Sequence, residues 1–282
     1  MPLKYEQKDT ILHVENLSIA YGEKVIISNI NFTEKDVVRP DKAQGQTIAF
    51  VGRSGRGKST LFRVLTGLEA PTTGMVLIPD YEKKIVNGQQ PAKKVREGDV
   101  GFVDQKYTLF RHKTIYQSLK FACRNAKLSN AERDKKINKY LHDWGLDNCR
   151  NQYPNELSGG QKQRTAILEQ LLSSGYYMVL DEPFSGLDVG NIQNVKDAFW
   201  LINDSNELNT IIFSTHDIEL AVELADSIYV LGYGKNHDGS LSQTGTILKH
   251  FDLKEMGLAW QNELRAEHLE LVKEIKEIML AS

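Results

Sequence analysis

The chain has 282 residues, 40% hydrophobic and 26% charged, with a net charge of −2 at pH 7. That length supports a sizeable core and one large or two smaller domains, and the near-zero charge gives no basic field of the kind that gathers nucleic acid or an anionic membrane. Two cysteines, Cys123 and Cys149, are too few for a disulfide framework or a structural zinc site. No apolar run reaches the length of a membrane span and residues 1–8 are polar without an apolar leader, so a cytoplasmic chain is expected.

In chain order, Ile11-Leu12-His13-Val14 and Leu17-Ser18-Ile19-Ala20 read as short strands, with a turn at Tyr21-Gly22 and a further strand over residues 25–32. Residues 33–46 are polar, contain Arg39-Pro40 and end near Gly45, which predicts a loop. Thr47-Ile48-Ala49-Phe50-Val51 predicts a buried strand and Leu61-Phe62-Arg63-Val64-Leu65 the opening of a helix. Residues 75–78 and 99–103 predict strands, with an exposed connection over 81–98 that has room for a short one. From 114 to 172 the spacing turns helical, through Ile115, Leu119 and Ala122, then Ile137, Tyr140, Leu141 and Trp144, with 130–139 as a solvated charged face. Residues 176–180, 210–214 and 227–231 are apolar runs separated by helical stretches, the pattern of parallel strands with crossovers. Residues 259–280 predict an amphipathic helix packed on its own domain.

The chemistry concentrates after the strand at 47–51. Gly52-Arg53-Ser54-Gly55-Arg56-Gly57-Lys58-Ser59-Thr60 reads G-x-x-x-x-G-K-S, between a strand and a helix. Glycines let the backbone approach phosphates, and the loop and helix N–H groups point at negative charge. Lys58 is expected on the β- and γ-phosphates and the Ser59 hydroxyl on Mg²⁺. The strand at 176–180 ends in Asp181-Glu182. An acid at such a strand end suits Mg²⁺, and because successive side chains of an extended segment diverge, Glu182 is free to polarise an attacking water. Leu157-Ser158-Gly159-Gly160-Gln161 is a second glycine turn before a helix, capped by Ser158 and able to offer N–H groups to an anion. His216, just past the strand ending at Ser214, is either structural or a γ-phosphate contact at the carboxyl edge of the sheet.

In this order the motifs resemble the nucleotide-binding subunit of ABC (ATP-binding cassette) transporters, from Ile11 to about Gly245. The resemblance implies an α/β P-loop NTPase fold with the ABC-ATPase core: a parallel sheet, an N-terminal antiparallel β subdomain and a helical subdomain over about 114–172. One cassette would cover 1–245 and a helical extension 246–282. It implies that Tyr21 stacks on adenine, and that Gly52, Ser54, Gly55, Gly57, Lys58, Ser59 and Thr60 form the Walker A loop. Gln105 becomes the Q-loop glutamine, contacting Mg²⁺ beside Ser59 and Asp181 and coupling to a permease. Ser158, Gly159, Gly160 and Gln161 become the signature, and Glu182, Gln105 and His216 the catalytic set. Ser185-Gly186-Leu187-Asp188 becomes the D-loop. ATP and Mg²⁺ are the implied ligands. The implied partners are a second copy or a paralogous cassette paired head to tail, transmembrane permease subunits and, through them, a substrate-binding protein, on the cytoplasmic face of the membrane. Nucleic acid is not among them.

Two departures stand out. Arg53 and Arg56 add charge beside the phosphates and are expected to face solvent, and Glu169 stands where the family usually has arginine. Neither touches a catalytic position, so active hydrolysis is expected. Residues 108–114 and 252–260 look most like ATPases of nitrate, sulfonate and taurine importers, with polar amino-acid importers close behind. A lipid or lipoprotein export cassette shares the motifs. A non-transport ABC ATPase acting on DNA or ribosomes would carry a coiled-coil insertion, tandem cassettes or basic charge, none of which this chain shows.

Overall fold

A computed structural model describes residues 5–39, 42–126, 128–187, 189–236, 238–261 and 263–282. Ten strands form one sheet. They are β1 (Glu6–Tyr21), β2 (Lys24–Val38), β3 (Gln46–Val51), β4 (Thr73–Pro79), β5 (Ala92–Lys94), β6 (Gly101–Val103), β7 (Tyr177–Leu180), β8 (Thr210–Thr215), β9 (Ser227–Lys235) and β10 (Leu241–Asp252). The spatial order is β5-β4-β1-β2-β10-β9-β3-β8-β7-β6. From β9 to β6 every neighbouring pair is parallel, whereas β5-β4-β1-β2 is antiparallel, so the expected parallel core and antiparallel N-terminal part are two halves of one sheet.

The parallel strands are buried on both faces, and their side chains alternate between two cores with the period of two that a strand imposes. Ala49, Met178, Leu180, Ile211, Phe213, Ile228 and Val230 face a core shared with the helices. Ile48, Phe50, Val179, Ile212, Tyr229 and Leu231 face a second core shared with the antiparallel half and with helix α1 (Lys58–Leu65). Phe50 meets Phe62 of α1 edge-on at 5.6 Å and stacks on Tyr229 at 5.0 Å. Full burial of such a ring contributes roughly 2–3 kcal/mol, and each ring pair about 1 kcal/mol more. These contacts fix α1 against the sheet and therefore fix the loop that precedes it.

The helical expectation over 114–172 holds. Helices α2 (Ile115–Ala122), α3 (Asn130–Asp143) and α4 (Gly159–Ser173) fill the connection between β6 and β7. Each begins with a capping box, Thr114 with Gln117, Ser129 with Glu132 and Ser158 with Gln161. Ile115, Leu119, Ala122, Ile137, Leu141 and Trp144 are buried among them, as are both cysteines. Helices α5 (Val189–Ser205), α6 (Ile218–Leu224) and α7 (Ala266–Leu280) complete the chain.

Four expectations need correction. Residues 33–38 are not loop: β2 runs on to Val38 in register with β1 as far as Glu6. The strand is hidden because a carboxylate occupies a core-facing position of the alternation, Glu34, whose Oε1 accepts hydrogen bonds from Ser227 and Tyr229. The two short strands at 11–14 and 17–20 are one strand, bulged at Asn16, which has φ 48°. The boundary at Gly245 falls inside β10, so residues 246–252 belong to the sheet and the extension is helical only later. The helix expected from Ala259 starts at Ala266, after turns over 254–260. Its packing on its own domain is as expected, through Leu271, Val272, Ile275 and Met279.

Candidate functional site

Because β3, β6, β7 and β8 are parallel, their carboxyl ends lie along one edge. That edge carries Gly52 after β3, Gln105 beyond β6, Asp181 and Glu182 after β7, and His216 after β8. Arg53, Ser54, Gly55, Gly57, Lys58, Ser59, Thr60, Gln105, Asp181, Glu182, Ser185 and His216 line one open cleft of about 720 Å³ there.

Local sequence dictates the loop. Gly57 is the N-cap of α1 at φ 93°, left-handed and without a side-chain cap, and a Cβ on it would collide with Ile27. The first turn of α1 holds no acid. Its free N–H groups and positive helix end are left to attract an anion.

Lys58 is buried, 6% exposed, and its Nζ donates to the Gly52 carbonyl at 2.6 Å while standing 3.2 Å from Glu182 Oε1. The other carboxylate oxygen, Oε2, lies 2.9 Å from His216 Nδ1. Glu182 is thus bracketed by a cation and an imidazole. Its backbone sits at φ 49°, a left-handed conformation that costs a non-glycine residue roughly 1–2 kcal/mol. Ser214 holds it there, its Oγ accepting from Glu182 N at 2.9 Å and donating to Asp181 Oδ1 at 2.6 Å. One Asp181 oxygen is committed to Ser214, which leaves the other to the cleft.

A relay joins this edge to α4. Tyr107 OH donates to the Pro183 carbonyl at 3.0 Å, and Gln163 Nε2 of α4 donates to both Tyr107 OH and that carbonyl, at 2.7 and 2.8 Å. Burial raises the Tyr107 hydroxyl to about 12, so it stays a donor. Gln105 Nε2 donates to Ser185 Oγ at 3.1 Å.

Not every expected residue gathers here. Tyr21 is half exposed and is not among the residues that line the cleft. Ser158, Gly159, Gly160 and Gln161 lie outside the cleft: Ser158 and Gly159 are exposed, and Gln161 N donates to Ser158 Oγ at 3.3 Å. Asp188 lies outside the described residues. Arg53 is exposed as expected, but Arg56 is half-buried, its guanidinium 3.8 Å from the Tyr233 ring centroid. Glu169 is 6% exposed and its Oε1 has no hydrogen-bond partner among the described residues; burial raises its carboxyl to about 7. Ser214, Gln163, Ile26 and Met279 escaped the sequence reading. Ser214 and Gln163 are ordinary polar residues one or two positions from named motifs, and nothing in the pattern marks Ile26 or Met279 as wall residues of the cleft.

The sheet order, the glycine loop between β3 and α1 and the acids after β7 define an α/β P-loop NTPase fold. A family model described as ABC transporter matches residues 36–185. A sulfate/thiosulfate import ATP-binding protein of Synechocystis sp. is 35% identical over 234 residues, covering 83% of this chain and 60% of that protein. A probable sulfate/thiosulfate import ATP-binding protein of Chlorella vulgaris is 34% identical, covering 79% of this chain and 87% of that one. The structure of cbiO1 from Clostridium perfringens, described as part of an ABC transporter complex, superposes with a TM-score of 0.68 at 26% identity, covering 96% of this chain and 99% of that one. The chain belongs to the ABC transporter family. It spans less than two thirds of the length of the Synechocystis relative.

Proposed function

We propose that this chain is the ATP-binding and ATP-hydrolysing subunit of an ABC importer, acting at the cytoplasmic face of the membrane through permease subunits. The observation that carries the reading is the constellation Lys58–Glu182–His216 at the mouth of the glycine loop. Lys58 and the α1 N-terminus take the β- and γ-phosphates of ATP. Lys58 then turns from Glu182 Oε1 to phosphate, freeing that oxygen to accept a proton from the attacking water, while His216 keeps the carboxylate in place and contacts the γ-phosphate. Gln105 senses the γ-phosphate side of the cleft and transmits its state toward the permease. Tyr21 swings in to cover the adenine.

Mg²⁺ fits this donor set. The Ser59 hydroxyl, the free Asp181 oxygen and Gln105 border the same cleft, and a hard cation that prefers phosphates and waters needs only one carboxylate from protein. When bound, it would neutralise charge between the β- and γ-phosphates.

The second glycine turn supports pairing. Ser158, Gly159, Gly160 and Gln161 are not among the residues that line this chain's own cleft, so we assign them, with Asp188, to the γ-phosphate held by a second copy or a paralogous cassette packed head to tail. A solved ATP-binding cassette, 25% identical with a TM-score of 0.62 and covering 86% of this chain and 99% of that one, is described as a dimer bound to ADP and Pi. The names of the relatives favour import, and make sulfate and thiosulfate the first cargo to test, delivered by a substrate-binding protein. Among the described residues no helix is long and apolar enough to cross a membrane. The test is affinity purification from membranes. A permease that co-purifies and raises ATP turnover supports the proposal; recovery with ribosomes or DNA and no permease refutes it.

A further inference from the structure

The phosphate loop, β9 and the end of α7 approach one another closely through bare glycines. A Cβ on Gly52 would stand 2.5 Å from the Leu231 carbonyl oxygen, so β9 lies against the first glycine of the loop. A Cβ on Gly232 would stand 2.7 Å from Ser282 Cβ and 2.5 Å from the Leu248 side-chain tip, so the strand is bare where the residues after α7 arrive. A Cβ on Gly245 would collide with the Arg56 carbonyl oxygen, which brings β10 onto the same turn. Ser282 is 5% exposed and Met279 7%.

Arg56 ties these pieces together. Its guanidinium lies over the Tyr233 ring at 3.8 Å and donates to the Ser282 carbonyl at 2.9 Å. Arg56 is flanked by Gly55 at φ 79° and Gly57 at φ 93°. Glycine imposes little conformational preference, so the contacts of the one side chain between them help to set the shape of this turn. Two contacts hold that side chain: Tyr233 of β9 and, across 226 positions of sequence, Ser282, two residues past the end of α7. One turn earlier, inside α7 itself, Met279 reaches the cleft, where it and Ile26 are the apolar members of a wall otherwise made of the loop and the strand-end polar residues.

We infer that the end of α7 and the two residues after it are a built part of the triphosphate site: Ser282 positions the 54–57 turn through Arg56, and Met279 closes the cleft wall beside the loop. Arg56 and Ser282 are positioning residues, acting on ATP through the backbone of the turn. The inference rests on the nucleotide reading above and adds a dependence of phosphate binding on an element outside the P-loop core.

The test is calorimetric titration of ATP into the full chain, with amide hydrogen exchange at residues 53–57 in the nucleotide-free protein. Gly232→Ala, which crowds Ser282 as well as the flexible tip of Leu248 but keeps every charge, raises Kd for ATP about three- to tenfold and speeds exchange at the turn. Arg56→Gln does the same, and Arg56→Lys does not recover either readout, because lysine keeps the charge but loses the planar contact with Tyr233 and the fixed donor geometry. Met279→Ala weakens ATP about threefold without changing exchange at the turn, and Met279→Leu restores it. Wild-type Kd and wild-type exchange in both Gly232→Ala and Arg56→Gln overturn the inference, as does full recovery by Arg56→Lys, which would leave charge alone as the cause. If Gly232→Ala does not fold, the Arg56 pair decides. A wild-type chain that binds no ATP refutes the nucleotide reading itself, a result distinguishable from all of these.

Discussion

Two glycine turns open helices in this chain, and they meet different surroundings. The turn before α1 is folded into the molecule: its lysine is buried, an acid and a histidine stand opposite, and the ends of three further parallel strands surround it. The turn before α4 has the better local cap, a reciprocal pair between Ser158 and Gln161, yet it presents Ser158 and Gly159 to solvent. Both are anion-binding geometries by the same physics of free N–H groups at a helix start. One has its counterparts within the chain. The other has none in the cleft among the described residues, and the proposed function gives it the phosphate of a neighbour.

The largest effect that sharpens this contrast lies at Glu182. Glu182→Gln keeps the shape and removes the base, so steady-state ATP turnover falls by about a thousandfold or more while ATP still binds. Turnover at the wild-type rate would show that the carboxylate is not the base. Lys58→Ala comes next. It removes the one buried cation of the inner turn and raises Kd for ATP about ten- to a hundredfold, measurable by calorimetry. It also leaves Glu182 without its cationic neighbour. A wild-type Kd would mean that the inner turn does not hold phosphate.

The outer helix carries its own test at Glu169. Its carboxyl is raised by burial from 4.5 to about 7, so the folded chain holds this proton more tightly than the unfolded chain does. Stability from this group is therefore complete below about pH 4.5 and is lost as pH rises from there through 7, a change of about 3 kcal/mol. Glu169→Gln should flatten that slope in urea titrations at pH 5 and pH 8 and be the more stable protein at pH 8; identical slopes would show that the carboxyl is not held neutral. The smallest effect is Ser158→Ala. Loss of the cap lowers stability by about 1 kcal/mol and leaves ATP affinity of the separate chain unchanged, while turnover falls. A raised Kd in the separate chain would place the outer turn at the same chain's nucleotide and erase the contrast.

The sequence exposed the inner turn because its chemistry is local: glycines, lysine and serine at fixed spacing between an apolar strand and a helix. Parallel strands could be read from the apolar runs at 176–180, 210–214 and 227–231, and the helical insertion from its spacing, since both depend on short-range pattern. Where burial depended on partners far along the chain, the pattern misled. Glu34 looks like loop because its partners, Ser227 and Tyr229, lie nearly 200 positions away. Residues 246–252 look like a tail because a strand with mixed exposure, paired antiparallel to β9, shows no clean alternation. At the site, motif spacing named Asp181 and Glu182 but not Ser214, which fixes both through one hydroxyl. Arg56 reads as solvent-facing because nothing near it in sequence announces Tyr233 or Ser282.

The central claim is that the inner and outer turns are two halves of one site completed between chains. Sedimentation velocity of the Glu182→Gln protein, with and without ATP and Mg²⁺, tests it most directly, because blocked hydrolysis traps whatever assembly ATP builds. The account predicts a monomer without nucleotide, a dimer with ATP, and a return to monomer when Ser158→Arg is added to the same chain. A monomer at saturating ATP, or a dimer indifferent to Ser158→Arg, would contradict it.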